Sequence, residues 1–297
     1  MQLHLRVLLS FVALTAAVCL AAPPAAKKPA PAKAEPEPTL AKAALVFCAP
    51  GYPGTTEEAQ TRMDEIAGSL AELSGWPKDR LSATYFPQEK AGMARLAEAD
   101  AALALVQLPF FLLHQAELKL TPRLAVVQKG LEATQAWTLV AKKGAVKSPA
   151  DLESIFSTAG YAPDFVTKTA LAGYALPASV KVTTGGQVLS ALRKAASGNG
   201  KQAVLVDAEQ AASLASLPFG ADLEVVFTGP KLPVAVVASV GTKLNAADWK
   251  ALAASFPKLS TTPRGAAALE GVRLTGFVAL DEAALAAAMK TYAGAAK

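Results

Sequence analysis

The segment 203–239 constrains the fold more strongly than any other part of the sequence. A short apolar run at 203–207 is followed by a helix-forming segment at 208–217 and by a β-branched run at 222–228. A Gly-Pro pair then interrupts the chain before a second apolar run at 233–239. Short β-branched runs with a helix between them are typical of a buried sheet that is covered by helices. The segment therefore predicts an α/β fold.

The spacing of these runs indicates that the chain passes from one lobe to another. Only residues 229–232 separate the last two runs, and a helical crossover needs more residues than that. A further apolar run at 137–141 lies at the other end of the same part of the chain. We therefore expect two crossings between two α/β lobes. The second lobe would comprise residues 139–233, and the first lobe residues 43–138 and 234–297.

Residues 1–22 have the features of a cleaved signal peptide. Arg6 provides a positive start, 7–20 is an apolar run, and small residues follow that run. The run is shorter than the roughly 20 residues that span a bilayer. We therefore expect residues 1–22 to be removed on export to the periplasm or another extracytoplasmic space. Lipid attachment at Cys19 is the less favoured alternative.

The composition of the remaining chain excludes several classes of function. Residues 23–42 form a Pro-, Ala- and Lys-rich tract that we expect to be a disordered linker, either a spacer or a remnant of processing. Without the leader, Cys48 is the only cysteine and His114 is the only histidine. This excludes an internal disulfide and zinc sites built on several such residues. We expect a buried thiol at Cys48 and a helix-surface position for His114. The formal net charge is +5, but no basic stripe with interleaved aromatic residues supports nucleic-acid binding.

Capping boxes predict where two of the helices begin. Thr55 is followed by Glu58, and Thr184 is followed by Gln187, at the spacing in which two side chains cap the same helix start. A further helix is expected across 164–174, where the polar turn 158–161 ends.

Four stretches, in this order, carry a resemblance to a known family. They are LVFCAPGYPGTTEEA, AEADAALALVQ, the pair AVLVDAEQ and LEVVFTGPKLPVAVVAS, and GVRLTGFVALD, and together they span the body from about residue 43 to residue 292. They resemble the exported solute-binding proteins of the phosphonate/sulfonate type, the PhnD/SsuA/transferrin-like family. The resemblance implies a two-lobed α/β fold of the type II periplasmic-binding-protein kind. It further implies two mixed sheets flanked by helices, two hinge strands and a ligand in the cleft.

Ligands of open α/β sheets bind beyond the carboxyl ends of the strands. Two Gly-containing loops, 51–56 and 183–186, lead into helix starts there, where free backbone N–H groups favour an anion. A third loop, 158–161, adds hydroxyls. Gln107 and Asp207 directly follow their strands and would contact the other end of the ligand. Alternatively, Thr55 and Thr184 only cap helices, because Glu58 already occupies the positive end of the first helix. The expected ligand-binding residues are Tyr52, Gly54, Thr55, Thr56, Gln107, Thr158, Gly160, Tyr161, Thr184, Gly185, Gly186 and Asp207.

Together with the resemblance, these residues predict an exported protein that captures a small anionic solute, such as a phosphonate, phosphate or sulfonate, for an ABC permease. Ligand contacts to both lobes would stabilise the closed state over the open one. The sequence contains none of the motifs typical of serine hydrolases, zinc proteases or nucleotide-binding enzymes. We expect no enzyme activity, no cofactor, no metal, and a monomer that meets the membrane only through a transporter. The alternatives are a sensing or accessory module of the same fold and, third, an exported hydrolase that uses His114.

Overall fold

The computed structural model describes residues 40–294. The predicted signal peptide and nearly all of the predicted linker lie outside the described residues. In chain order the strands are β1 (Ala43–Cys48), β2 (Leu81–Phe86), β3 (Ala101–Gln107), β4 (Leu120–Gln128), β5 (Thr134–Lys142), β6 (Ser154–Ser157), β7 (Lys181–Thr184), β8 (Gln202–Val206), β9 (Leu223–Pro233), β10 (Ala235–Val240) and β11 (Leu274–Ala279). The α-helices are α1 (Thr56–Ser74), α2 (Glu89–Ala97), α3 (Leu108–His114), α4 (Val188–Ser197), α5 (Ala208–Ala212), α6 (Ala246–Ser255), α7 (Pro263–Gly271) and α8 (Glu282–Ala293).

The strands form two mixed sheets, as expected. The first has the order β11-β4-β10-β3-β1-β2, with β1 parallel to β2 and β3, and with β10 antiparallel to β3 and β4. The second has the order β7-β6-β8-β5-β9, with β6 parallel to β7 and β8, and with β5 antiparallel to β8 and β9. We call the parts of the chain built on these sheets the first lobe and the second lobe. The residue boundaries given above for the lobes stay a prediction.

Two chain crossings connect the sheets, one from β4 to β5 and one from β9 to β10. The crossings lie side by side, because the Val234 N–H donates to the Ala133 carbonyl at 3.1 Å. The Val234 carbonyl in turn accepts the Leu108 N–H at 3.1 Å. β9 is longer than the apolar run suggested and continues through the Gly-Pro pair to Pro233. The chain therefore enters the first sheet after a single residue, Val234.

Three buried apolar clusters stabilise the structure. One lies between the first sheet and α1, α6 and α7, and includes Met63, Ile66 and Phe256. A second lies under α4 in the second lobe. The third contains residues of both lobes, including Phe110 from α3 and Phe165 from the second lobe. Apolar packing therefore continues from one lobe to the other next to the crossings.

The second lobe departs from the predicted elements in three places. The expected helix at 164–174 is a π-helical segment at Phe165–Ala170, in which the Leu171 N–H donates to the Val166 carbonyl at 3.1 Å. The wider turn places the Ala170 carbonyl against Gly229 of β9, where a Cβ would lie only 2.0 Å from that oxygen. β6 was not predicted. α5 is shorter than the helix-forming segment 208–217 that predicts it.

The last helix packs on the second lobe, although the strand before it belongs to the first sheet. α8 contacts β9 and the π-helical segment. Its Leu285 and Ala288 are buried in the same cluster as Phe165 and Val166. The predicted segment 234–297 therefore contributes to both lobes.

Candidate functional site

Three predicted loops meet where the lobes face each other, and we call this region the interlobe contact. Gly51, after β1, has a φ of +83°, and a Cβ there would lie 3.0 Å from the Thr158 carbonyl oxygen of the second lobe. Within the second lobe, Gly160 approaches the end of β7 more closely still, since a Cβ there would lie 2.3 Å from the Thr183 carbonyl oxygen. Gly186 faces the Gly51 carbonyl. Glycine is required at Gly51 both for its backbone conformation and for this close approach.

A hydrogen bond joins the lobes at the centre of the interlobe contact. The Tyr52 hydroxyl of the first lobe donates to the Asp207 carboxylate of the second lobe. Asp207 is buried, and its other oxygen caps α5 by accepting the Gln210 N–H at 2.8 Å. Burial raises the pKa of the Asp207 carboxyl, and hydrogen bonds from Gln210 and Tyr52 oppose that rise. Burial and the adjacent Asp207 charge raise the pKa of Tyr52 well above its usual value.

Two hydroxyls in the same region are buried without a hydrogen-bond partner among the residues that the structure describes. They belong to Thr158, whose residue is 2% exposed, and to Tyr161. Burial raises the pKa of Tyr161 well above its usual value, and the nearby Cys48 and Glu89 of the first lobe add to that rise. The Tyr161 side chain packs against the apolar cluster that both lobes share. Unpaired buried hydroxyls are uncommon and indicate a missing polar partner.

Other predicted site residues have structural roles. Thr55 caps α1 in the predicted capping box, which the structure confirms, and Thr56 is the first residue of α1. The second predicted capping box is wrong: the Thr184 hydroxyl donates to the Thr158 carbonyl at 3.3 Å, and Gln187 is the N-cap of α4 without a side-chain bond. Gly185 lies against the Phe156 ring. Sequence spacing cannot distinguish a cap from a hydroxyl that bonds a neighbouring loop, because both use the same residue types.

The surroundings of Cys48 and His114 do not favour catalysis or metal binding. Cys48 is buried, as expected, and burial raises its pKa to about 12, so its thiol is inert. His114 is not on the surface: its side chain is 12% exposed and its Nε2 lies 2.9 Å from Glu89 Oε1. Within residues 40–294, no group of three or more His, Cys, Asp or Glu side chains is arranged to hold a metal ion. None of the described helices has the length and hydropathy needed to cross a bilayer.

A cavity of about 430 Å³ lies beside the interlobe contact, and we call it the main cavity because its lining is mostly apolar and includes residues of both lobes. It lies at the carboxyl ends of β1, β2, β3 and β4, next to the start of α1. Predicted site residues Tyr52, Gly54 and Gln107 line one side of it. Most of its wall is apolar and was not predicted as part of a site; those side chains include Phe47, Tyr85, Leu105, Val126, Val272 and Leu274.

An ion pair at the rim of the main cavity forms a second polar contact between the lobes. The Arg273 guanidinium, just before β11, pairs with the Glu209 carboxylate in α5. Arg273 has a φ of +59°, a left-handed conformation that only one other non-glycine residue, Lys119, adopts in the described chain. The glycine at 271 signals the end of α7, but no sequence pattern indicates that Arg273 reaches the other lobe.

Two further spaces complete the region. A narrow space of about 20 Å³ lies between Tyr52, Gln107, Trp137 and Asp207, which is room for about one water molecule. An open groove of about 480 Å³ lies between the Gly51 loop and the first turn of α4. Tyr52 lines both spaces and the main cavity. This residue is therefore the common point of the candidate site.

No family model matches the chain, and no curated protein matches it either. Solved structures do match. XAC2383 from Xanthomonas citri, bound to chloride ion, superposes with a TM-score of 0.66 at 15% identity, covering 84% of this chain and 97% of that one. PhnD1 from Prochlorococcus marinus, in complex with methylphosphonate, gives 0.57 at 12% identity, covering 83% and 97%.

A binding protein component of an ABC phosphonate transporter from Pseudomonas aeruginosa gives a TM-score of 0.55 at 12% identity, covering 82% of this chain and 83% of that one. Identities this low establish the fold alone. The two mixed sheets, the two crossings and these superpositions agree with one another. The chain has the two-lobed type II periplasmic-binding-protein fold.

Proposed function

We propose that this chain is an exported solute-binding protein, not an enzyme, that closes its two lobes around a small anionic solute and delivers it to an ABC permease. The observation that carries the proposal is the interlobe contact. Tyr52 of the first lobe is bonded to Asp207 of the second, and the hydroxyls of Thr158 and Tyr161 are buried there without a partner in the described structure.

The unpaired hydroxyls explain how a solute would favour closure. A buried polar group without a partner costs about 1–3 kcal/mol of stability. An oxyanion that accepts hydrogen bonds from Thr158 and Tyr161 removes this cost only when the lobes are closed around it. Since a ligand shifts a conformational equilibrium by its differential affinity for the two states, such contacts couple capture to closure.

The comparisons supply the partner and the solute class by analogy. One similar protein is a component of an ABC phosphonate transporter, and another is in complex with methylphosphonate. The predicted signal peptide adds export from the cytoplasm. Phosphonate, phosphate and sulfonate are therefore the first solutes to test.

A thermal-shift screen of the mature chain, from residue 23 onward, tests the proposal. A solute at about 100 times its dissociation constant adds about 2.7 kcal/mol to the free energy of unfolding, which is a clear rise in melting temperature. The screen should include methylphosphonate, inorganic phosphate, sulfonates, carboxylates and amino acids. Failure of every solute to raise the melting temperature contradicts the proposal.

Two variants then locate the binding site. Thr158→Val and Tyr161→Phe each remove one unpaired hydroxyl, and we expect each to weaken binding of the solute found in the screen by about tenfold. Tyr174→Phe is the matched control, because the Tyr174 hydroxyl is also buried without a described partner. The Tyr174 ring packs against Phe227 within the second lobe, away from the interlobe contact. Equal affinities in all three variants, measured by isothermal titration calorimetry, would place the solute elsewhere.

A further inference from the structure

The main cavity has a wall suited to an apolar body and a rim suited to one charge. Aromatic and branched side chains form most of its surface, and the polar Gln107 and Gln128 lie at strand ends. Three charged side chains border it: Glu58, Glu209 and Arg273. A small cavity that is mostly apolar, with few convergent polar groups, is typical of a ligand site.

The two acidic side chains already have partners. The Glu58 carboxylate accepts the Thr55 N–H at 2.9 Å and so belongs to the cap of α1. Glu209 pairs with Arg273 across the lobes. Arg273 is therefore the one cation on the rim, and an entering anion would compete with Glu209 for it.

Arg273 occupies a backbone position that favours glycine or asparagine. Arg273, with its φ of +59°, follows Val272, the C-cap of α7, at the position where helices commonly end in a left-handed residue. An arginine is more strained in this conformation than glycine or asparagine would be. The strained backbone holds the guanidinium at the rim of the cavity, where its side chain is 73% exposed.

We infer that the main cavity binds a monocarboxylate with a compact apolar body, whose carboxylate replaces Glu209 on Arg273. This inference rests on the proposed function and adds a solute class for a cavity that neither Thr158 nor Tyr161 lines. A carboxylate matches the planar guanidinium with two parallel hydrogen bonds. A phosphonate would bring a third oxygen and additional charge to an apolar wall with a single cation, and its desolvation would be uncompensated. Glu209 is partly exposed and returns to water when it is displaced.

Calorimetry on the mature chain tests the inference with two probes, 3-phenylpropanoate and 4-methylpentanoate. We expect at least one to bind, and Arg273→Gln to weaken that binding by about tenfold or more. Glu209→Gln removes the competing carboxylate, so we expect it to tighten binding by about threefold. Failure of both probes to bind at millimolar concentration, or unchanged affinity in both variants, overturns the inference.

The sign of the Glu209→Gln effect distinguishes a monocarboxylate from a zwitterion. L-Phenylalanine has the same body as 3-phenylpropanoate and adds an ammonium group that would pair with Glu209. If L-phenylalanine binds more tightly than 3-phenylpropanoate and loses affinity in Glu209→Gln, the site is one for amino acids and the inference is wrong. Tighter binding of 2-phenylethylphosphonate than of 3-phenylpropanoate also overturns it.

Arg273→Gly separates binding from folding, because glycine relieves the strained backbone while it removes the guanidinium. We expect a melting temperature at or above that of the wild type, together with loss of carboxylate binding. Lys119→Gly is the matched control, since Lys119 has a φ of +52° at the opposite end of β4. It should raise stability and leave affinity unchanged.

The outcomes for the cavity and for the proposed function are distinct. If methylphosphonate binds, depends on Thr158 and Tyr161, and is unaffected by Arg273→Gln, while both carboxylates fail, the proposed function stands and the cavity inference falls. If no solute binds anywhere, both fall.

Discussion

The Asp207 carboxylate has two tasks at once, since one oxygen caps α5 and the other accepts the Tyr52 hydroxyl. Both residues were predicted as ligand contacts from their places after β8 and β1. Their mutual bond was not predictable, because nothing in the sequence relates two positions that are 155 residues apart. The loops predict a site only as separate residues. The fold is needed to show which of those residues form hydrogen bonds with one another.

The raised pKa of Asp207 predicts a pH dependence of stability. Because burial raises the pKa above its ordinary value of 3.8, the folded protein binds a proton here more tightly than the unfolded chain does. The contribution of this group to the free energy of unfolding therefore falls as pH rises from 3.8 through the raised folded value. Above that value the cost of burying the ionised Asp207 carboxylate is fully present.

Asp207→Asn should remove this dependence while it keeps a capping oxygen for α5. We expect the wild type to lose stability relative to Asp207→Asn as pH rises, measured by urea unfolding from about pH 4 to about pH 7. A wild-type-minus-variant difference that is constant or rises with pH would show that the Asp207 pKa is not raised in the folded state.

Among the elements, the apolar strands were the most predictable. β1 and β3 are short apolar runs in which nearly every position is buried, and such runs leave few other conformations. The four-residue β6 was missed because the Ser148-Pro149 pair before it signals a helix start. The helix that begins there is only a single turn, Pro149–Asp151, so the chain is free to form a strand directly afterwards. The π-helical segment was predicted as an ordinary helix because the two share one apolar pattern. Arg273 was missed because its role depends on α5, which lies on the other lobe.

The packing of α2 on β1 depends on one small residue. A Cβ on Gly92 would lie 2.2 Å from the Cys48 Sγ. Gly92→Ala should therefore lower the free energy of unfolding by about 1–3 kcal/mol through overpacking, although alanine favours a helix more than glycine does.

The same change should cost clearly less in a Cys48→Ala background, where the sulfur is gone and only the Cβ of residue 48, 3.0 Å away, stays in close contact. The measurement is a double-mutant cycle from urea denaturation. If Gly92→Ala costs as much in that background as in the wild type, the contact with the sulfur is not the reason for the glycine.

At the scale of the whole molecule, two polar contacts at the cleft join the lobes within residues 40–294, beside the apolar cluster that the lobes share. They are the Tyr52–Asp207 hydrogen bond and the Arg273–Glu209 ion pair. The two-lobed architecture was predicted from the crossings and the resemblance, since both follow from the order of segments. How firmly the lobes close was not predictable, because closure depends on side chains from distant segments.

Removal of both polar contacts should open the molecule. We expect the combined variant Tyr52→Phe with Glu209→Gln to have a larger radius of gyration than the wild type in small-angle X-ray scattering. Lys129→Gln is a suitable control, because it breaks the Lys129–Glu270 ion pair within the first lobe. An unchanged radius in the combined variant would mean that apolar packing alone keeps the lobes shut.

The placement of α8 on the second lobe has a consequence for how the protein moves when it is anchored. The first described element, β1, belongs to the first lobe and the last, α8, packs on the second, so residues 280–281 are a third connection that would bend in the proposed closure. A tether at the amino end would hold the first lobe still while the second swings. Fluorophores fused to the two chain ends would report that swing by energy transfer, with nothing placed in the cleft.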